Sequence, residues 1–158
     1  MYQVVIVVSR VQLALNVSNL DEAVDFYSKL FGAEPAKTRP GYANFAIAEP
    51  PLKLVLFEGN GEPGTLHHLG IEVATTDDVA RARSRLAHEG LPTVTEDDAE
   101  CCGAIQDKVW VDGPDCEPWE IYTVLGDVEH RPGELRPVDA DAASMCCSAA
   151  PESAARCC

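Results

Sequence analysis

From Arg10 the chain alternates. In RVQLALNV (Arg10–Val17), Gln12, Ala14 and Asn16 interleave with Val11, Leu13, Leu15 and Val17, which is the period-2 pattern of a strand with one apolar face. Ser18 or Asn19 then stands where a helix cap belongs. Asp21 and Glu22 follow in a first turn, Ala23, Phe26, Tyr27 and Leu30 keep helical spacing, and Gly32 closes the segment, so a helix is predicted over 20–31. Short strands are predicted near 43–48 and 53–58, bounded by Pro40-Gly41 and Pro50-Pro51, with a loop over 60–64.

The pattern then restarts. HHLGIEV (67–73) reads as a strand, Thr75 or Thr76 as a cap, Asp77-Asp78 as a first turn, and a helix runs to about Glu89 before Gly90. Sliding the chain by 56 residues sets Gln12 on His68, Leu15 on Ile71, Val17 on Val73, Asp21 on Asp77 and Leu30 on Leu86, a weak internal repeat. Strands near 93–96, 108–111 and 119–124 complete the second copy. The expected architecture is α+β: one domain over 9–125 made of two βαβββ modules, about 9–60 and 65–125. Residues 1–8 read as an extension, with a short strand possible. Residues 126–158, rich in Ala, Asp, Pro and Ser, read as a flexible tail.

The repeat directs attention to polar residues inside apolar strands. If the modules pack about a pseudo-two-fold axis, repeat-related positions face one cavity. Gln12 and His68 are such a pair, and Glu120 in PWEIYTV is a third polar residue, set between Trp119 and Ile121. An amide oxygen, an imidazole nitrogen and a carboxylate form an N,O set suited to a divalent metal, resembling the two-histidine-one-carboxylate sites of non-haem Fe(II) oxygenases with Gln for one His. A strand histidine is equally readable as a satisfied polar residue, and a Glu beside Trp as a solvent face. His67 competes with His68, but the repeat and strand alternation favour His68.

Composition adds two constraints. With 26 acidic and 12 basic residues the net charge is −14, which disfavours nucleic acid and anionic membrane as partners. The longest early apolar run, 4–8, is far below the roughly 20 residues of a bilayer span. The start lacks a basic n-region, so the expected location is a reducing cytoplasm.

Seven cysteines cannot all pair, and six form adjacent doublets: Cys101-Cys102, Cys146-Cys147 and Cys157-Cys158. Neighbouring cysteines bridge each other poorly, and none has CxxC zinc spacing. Capture of a soft, thiophilic ion is the simplest use. Cys101-Cys102 follows an acidic stretch and precedes Gly103, as in a mobile loop. Two adjacent thiols match the two exchangeable positions of a mono-organo trivalent arsenical; two small buried apolar residues are the alternative. The tail doublets are possible auxiliary thiols, and Cys116 reads as a turn residue.

SRVQLALNVSNLDEAVDFYSKLFG, HHLGIEV, CCGAIQDKVWVDGPD and PWEIYTV together resemble the carbon–arsenic lyase and cadmium-induced protein (ArsI/CadI) family of the vicinal-oxygen-chelate superfamily, with glyoxalase I, bleomycin-resistance proteins and extradiol dioxygenases. The resemblance spans about 9–127. It implies a glyoxalase-like fold and an Fe(II)-dependent dioxygenase that uses O₂ to break the C–As bond of trivalent organoarsenicals, methylarsenite and aromatic ones among them, releasing arsenite. It implies Gln12, His68 and Glu120 as iron ligands and Cys101 and Cys102 as substrate thiols. It leads to the expectation of an aromatic residue at Gly103 and a glycine at Cys116. A non-catalytic cadmium- or arsenite-binding resistance protein is the alternative, and the chain is expected to act as a monomer or homodimer.

Overall fold

A computed structural model describes residues 9–101 and 104–127, Cys101 by its backbone alone. The elements are β1 (Arg10–Val17), α1 (Leu20–Phe31), β2 (Lys37–Arg39), β3 (Tyr42–Ile47), β4 (Leu52–Glu58), β5 (Leu66–Glu72), α2 (Thr76–His88), β6 (Val94–Cys101), β7 (Ala104–Asp112) and β8 (Pro118–Asp127). Strand–helix–strand–strand–strand therefore occurs twice, as the repeat predicts. The chain divides between Thr75 and Thr76 into two compact units.

In the first unit the strand order is β2-β3-β4-β1-β5. β1 runs parallel to β4 and antiparallel to β5. The alternation read in β1 separates two faces. Leu13, Leu15 and Val17 pack with α1 around Leu20, Phe45, Ile47, Leu54 and Leu56, and each fully buried aliphatic side chain there is worth about 1.5–3 kcal/mol. Gln12, Ala14 and Asn16 occupy the opposite face. Helix α1 begins where its cap predicts. Asn19 accepts from the Glu22 N–H at 3.0 Å, and the Glu58 carboxylate accepts from the Leu20 N–H at 2.7 Å. Gly32 ends it at φ +61°, a conformation that disfavours a Cβ.

The second unit has order β8-β7-β6, all antiparallel. Helix α2 packs on β7 and β8 through Val79 and Leu86.

Three expectations change. β2 is a three-residue strand that carries no alternation to read. β6 and β7 extend well beyond 93–96 and 108–111. The backbone of Cys101 is the last residue of β6, paired with Ala104, rather than part of a loop. Residues 1–8, Cys102, Gly103 and 128–158 lie outside the described residues. Among the described residues no helix is long and apolar enough to cross a membrane.

Candidate functional site

Gln12 projects from the face of β1 opposite α1 and is 3% exposed; His68 on β5 is 2% exposed. The β1–β5 register sets His68 opposite Ala14 and Gln12 opposite Gly70, a diagonal placement. It brings Gln12 Nε2 to 2.9 Å from His68 Nε2. With the amide nitrogen turned to the ring, Gln12 donates and His68 Nε2 is the acceptor. On the other side of the ring, His68 Nδ1 lies 2.8 Å from His67 Nδ1. His67 in turn lies against Phe57, with ring centroids 4.7 Å apart and planes tilted by 32°. The imidazole of His68 is thus oriented through its Nδ1 while Nε2 points to Gln12. Metal-binding histidines are commonly held in this way.

Glu120 lies on β8 and is 2% exposed. Its Oε2 is 3.0 Å from Lys108 Nζ on β7, and Lys108 is fully buried. The same ammonium lies 5.5 Å from the Trp110 ring centroid. Two charges removed from water require a close partner, and each supplies the other's. Lys108 escaped the sequence reading because a lone strand lysine ordinarily marks a solvent face. The available signal was its company, since β7 reads AIQDKVWVD with large apolar residues on both faces.

Asp107, on the other face of β7, accepts from Thr76 Oγ1 at 2.7 Å and from the Asp98 N–H at 2.9 Å. It thereby ties the start of α2 to an irregularity in β6, where the register shifts between Glu96 and Ala99 and Asp98 adopts φ +51°. This is the stretch of β6 that leads to Cys101.

Cys102 and the tail thiols Cys146, Cys147, Cys157 and Cys158 fall outside the described residues. Cys116 is half-buried in the turn before β8, at φ +65°, with its N–H on the Gly113 carbonyl at 3.0 Å. That left-handed conformation is the one glycine takes most readily, which accounts physically for the glycine expected there.

The donor chemistry can be judged against a metal. Gln12 and His68 converge, and a half-turn of the Gln12 carboxamide would exchange Nε2 for Oε1 beside the imidazole lone pair. Amide oxygen, imidazole nitrogen and carboxylate are the donors that suit Fe(II). Among the described residues no three His, Cys, Asp or Glu side chains gather into a metal cluster; the expected set holds only two of those types, its third member being an amide.

Residues 9–121 match the model of the Glyoxalase/Bleomycin resistance protein/Dioxygenase superfamily. The chain is 63% identical over 122 residues to a trivalent organoarsenical cleaving enzyme of Thermomonospora curvata, covering 77% of this chain and 81% of that protein. It is 57% identical over 141 residues to the cadmium-induced protein CadI of Mycobacterium tuberculosis, covering 88% and 93%. Among solved structures, an extradiol ring-cleaving dioxygenase from B. fuscum matches with TM-score 0.53 and 22% identity, over 75% of this chain and 33% of that one. A Legionella pneumophila protein described as an NAD-dependent benzaldehyde dehydrogenase matches with TM-score 0.51 and 16% identity, over 72% and 98%. The structural likenesses establish the fold. The buried polar pair on β1 and β5, the doubled strand–helix–strand–strand–strand order and these sequence identities lead to one assignment: the chain belongs to the glyoxalase/bleomycin resistance/dioxygenase superfamily, within the family of the trivalent organoarsenical cleaving enzymes and cadmium-induced proteins.

Proposed function

We propose that this protein cleaves the carbon–arsenic bond of trivalent organoarsenicals such as methylarsenite and trivalent aromatic arsenicals, as an Fe(II)-dependent dioxygenase that releases arsenite. The observation that carries the reading is the buried Gln12–His68 pair, two polar side chains meeting at 2.9 Å on a strand face where alternation alone calls for solvent exposure. The names and identity levels of the relatives support it.

In this reading Gln12, His68 and Glu120 hold the metal. When bound, Fe(II) would supply activation of molecular oxygen and Lewis-acid chemistry for the oxidation. The protein's own groups do the remainder. His67 orients His68 through Nδ1, and Lys108 fixes the Glu120 carboxylate through Oε2. Cys101 and Cys102 capture the substrate by exchange: RAs(OH)₂ and two thiols give RAs(S-Cys)₂ and two waters. Holding arsenic by two bonds converts a bimolecular encounter into a positioned one.

The test is incubation of Fe(II)-loaded protein with methylarsenite, in air and without oxygen, scoring arsenite. Release in air alone is expected, and its absence there would sink the reading. A Cys102→Ser protein should keep its iron and lose turnover.

A second reading is a non-catalytic cadmium- or arsenite-binding resistance protein. The likeness to a cadmium-induced protein favours it. It predicts stoichiometric binding of the soft ion with no arsenite released from methylarsenite.

A further inference from the structure

In the first unit, the sheet face opposite α1 carries Gln12 and His68, and its charge runs against that of the chain. Strand register fixes which residues share it. Gln12 pairs with Lys53, Asn16 with Phe57, Phe57 with Tyr42 and Tyr42 with Arg39, and the alternation of β2 adds Lys37. Arg10 and Lys53 both reach Glu72 on this face, at 2.7 and 3.8 Å. Four of the chain's 12 basic residues thus share the face with one carboxylate among the described residues, Glu72, in a protein of net charge −14. Arg39 stands out among the four. It is half-buried, its Nε is shut off from water with no hydrogen-bond partner, and it joins none of the ion pairs among the described residues. Native proteins seldom bury part of a guanidinium without giving it an acceptor.

A line of rings leads from Arg39 to the buried polar pair. Tyr42, opposite Arg39, meets Phe57 edge-on with centroids 5.5 Å apart. Phe57 in turn lies 4.7 Å from His67 and 6.3 Å from His68, centroid to centroid. β2 stands three strand spacings from β1, about 14 Å at about 4.8 Å per strand. An arginine side chain and a para-substituted benzene ring together fill such a span. We propose that Arg39 is a specificity-determining residue that binds an anionic substituent, a carboxylate above all, on the ring of an aromatic arsenical packed against Tyr42 with Phe57 behind it. The inference rests on the reading that aromatic arsenicals react beside Gln12 and His68. The guanidinium fork matches a carboxylate with two parallel N–H···O bonds. A methyl group or a bare phenyl ring offers it no acceptor, so this face sorts substrates by what the ring carries rather than by the arsenic.

The experiment compares arsenite release by the full-length Fe(II)-loaded protein from phenylarsine oxide and from its 4-carboxy derivative, in air. Wild type should favour the carboxylated compound in kcat/KM. Arg39→Met should lose roughly tenfold in kcat/KM for that compound, the scale of a charge-assisted hydrogen bond. Its kcat/KM for phenylarsine oxide should stay within about twofold, a split that a merely structural role of Arg39 would not produce. Arg39→Gln, which keeps polarity and loses the charge, should show the same selective loss if Arg39→Met fails to fold. No preference in the wild type, or an equal change for both compounds in the variants, would overturn the assignment while leaving the proposed activity standing. Release of arsenite from neither compound by the wild type would bring down the activity itself, and this inference with it.

Discussion

At the scale of single residues, each unit carries buried polar groups that hold one another, Gln12 with His68 in the first and Lys108 with Glu120 in the second. Lys108 is the clearest case. It has no access to water, and its ammonium is satisfied by the Glu120 carboxylate at 3.0 Å and the Trp110 ring. Replacing it by Met leaves a buried carboxylate without this cation, which costs about 3–5 kcal/mol, whereas removing both charges is far milder. Urea unfolding should therefore show Lys108→Met strongly destabilised and Lys108→Met/Glu120→Gln recovering more than half of the loss. A single-variant loss below about 1 kcal/mol would mean the pair is not what keeps these charges buried. Gln12 and His68 stand out in the sequence because a 56-residue offset superposes them, and the structure buries both side chains and brings them into contact. Lys108 is not legible in this way. Nothing in a one-dimensional pattern distinguishes a polar strand residue facing water from one facing a polar interior, since both obey the same period.

At the scale of elements, local chemistry sets the helices, and tertiary chemistry sets the strands that run beyond their predicted bounds. Helix α1 is legible because cap, first-turn acids, spacing and terminal glycine agree. The sequence predicts only a short β6 because TEDDAE lacks alternation and carries four acids. Its continuation depends on Asp107, a residue of the next strand, whose carboxylate accepts the Asp98 N–H and admits the irregularity at φ +51°. Such support from a residue nine positions away is invisible to a window of neighbours. Asp107→Ala removes both hydrogen bonds, to Thr76 and to Asp98, and should destabilise the protein by about 2–4 kcal/mol. Hydrogen exchange localises the effect: the Asp98 amide and the first turn of α2 should lose protection before β8 does. Unaltered protection at Asp98 would show that the irregularity is held by something else.

At the scale of the whole chain, the enzyme and buffer readings divide the cysteines differently. The described strands end at Asp127, and the three expected metal ligands all precede it, as does Cys101-Cys102. Four of the seven cysteines lie beyond. A protein ending at Glu129 loses those four together with four acids and three arginines, so its net charge stays near −13 and the comparison is free of a change in long-range electrostatics. A thiol buffer scales with its thiols; it should lose about half or more of its Cd(II) stoichiometry and a matching share of any resistance it confers. An enzyme scales with its single site; kcat/KM for methylarsenite should remain within about twofold, because every group that touches metal or arsenic in the proposed mechanism is retained. Collapse of turnover in a truncated protein that still binds iron would assign the tail thiols a part in delivering or holding the substrate. Retained turnover with diminished Cd(II) binding would place the chemistry on β1, β5 and β8 and reduce the tail doublets to accessories.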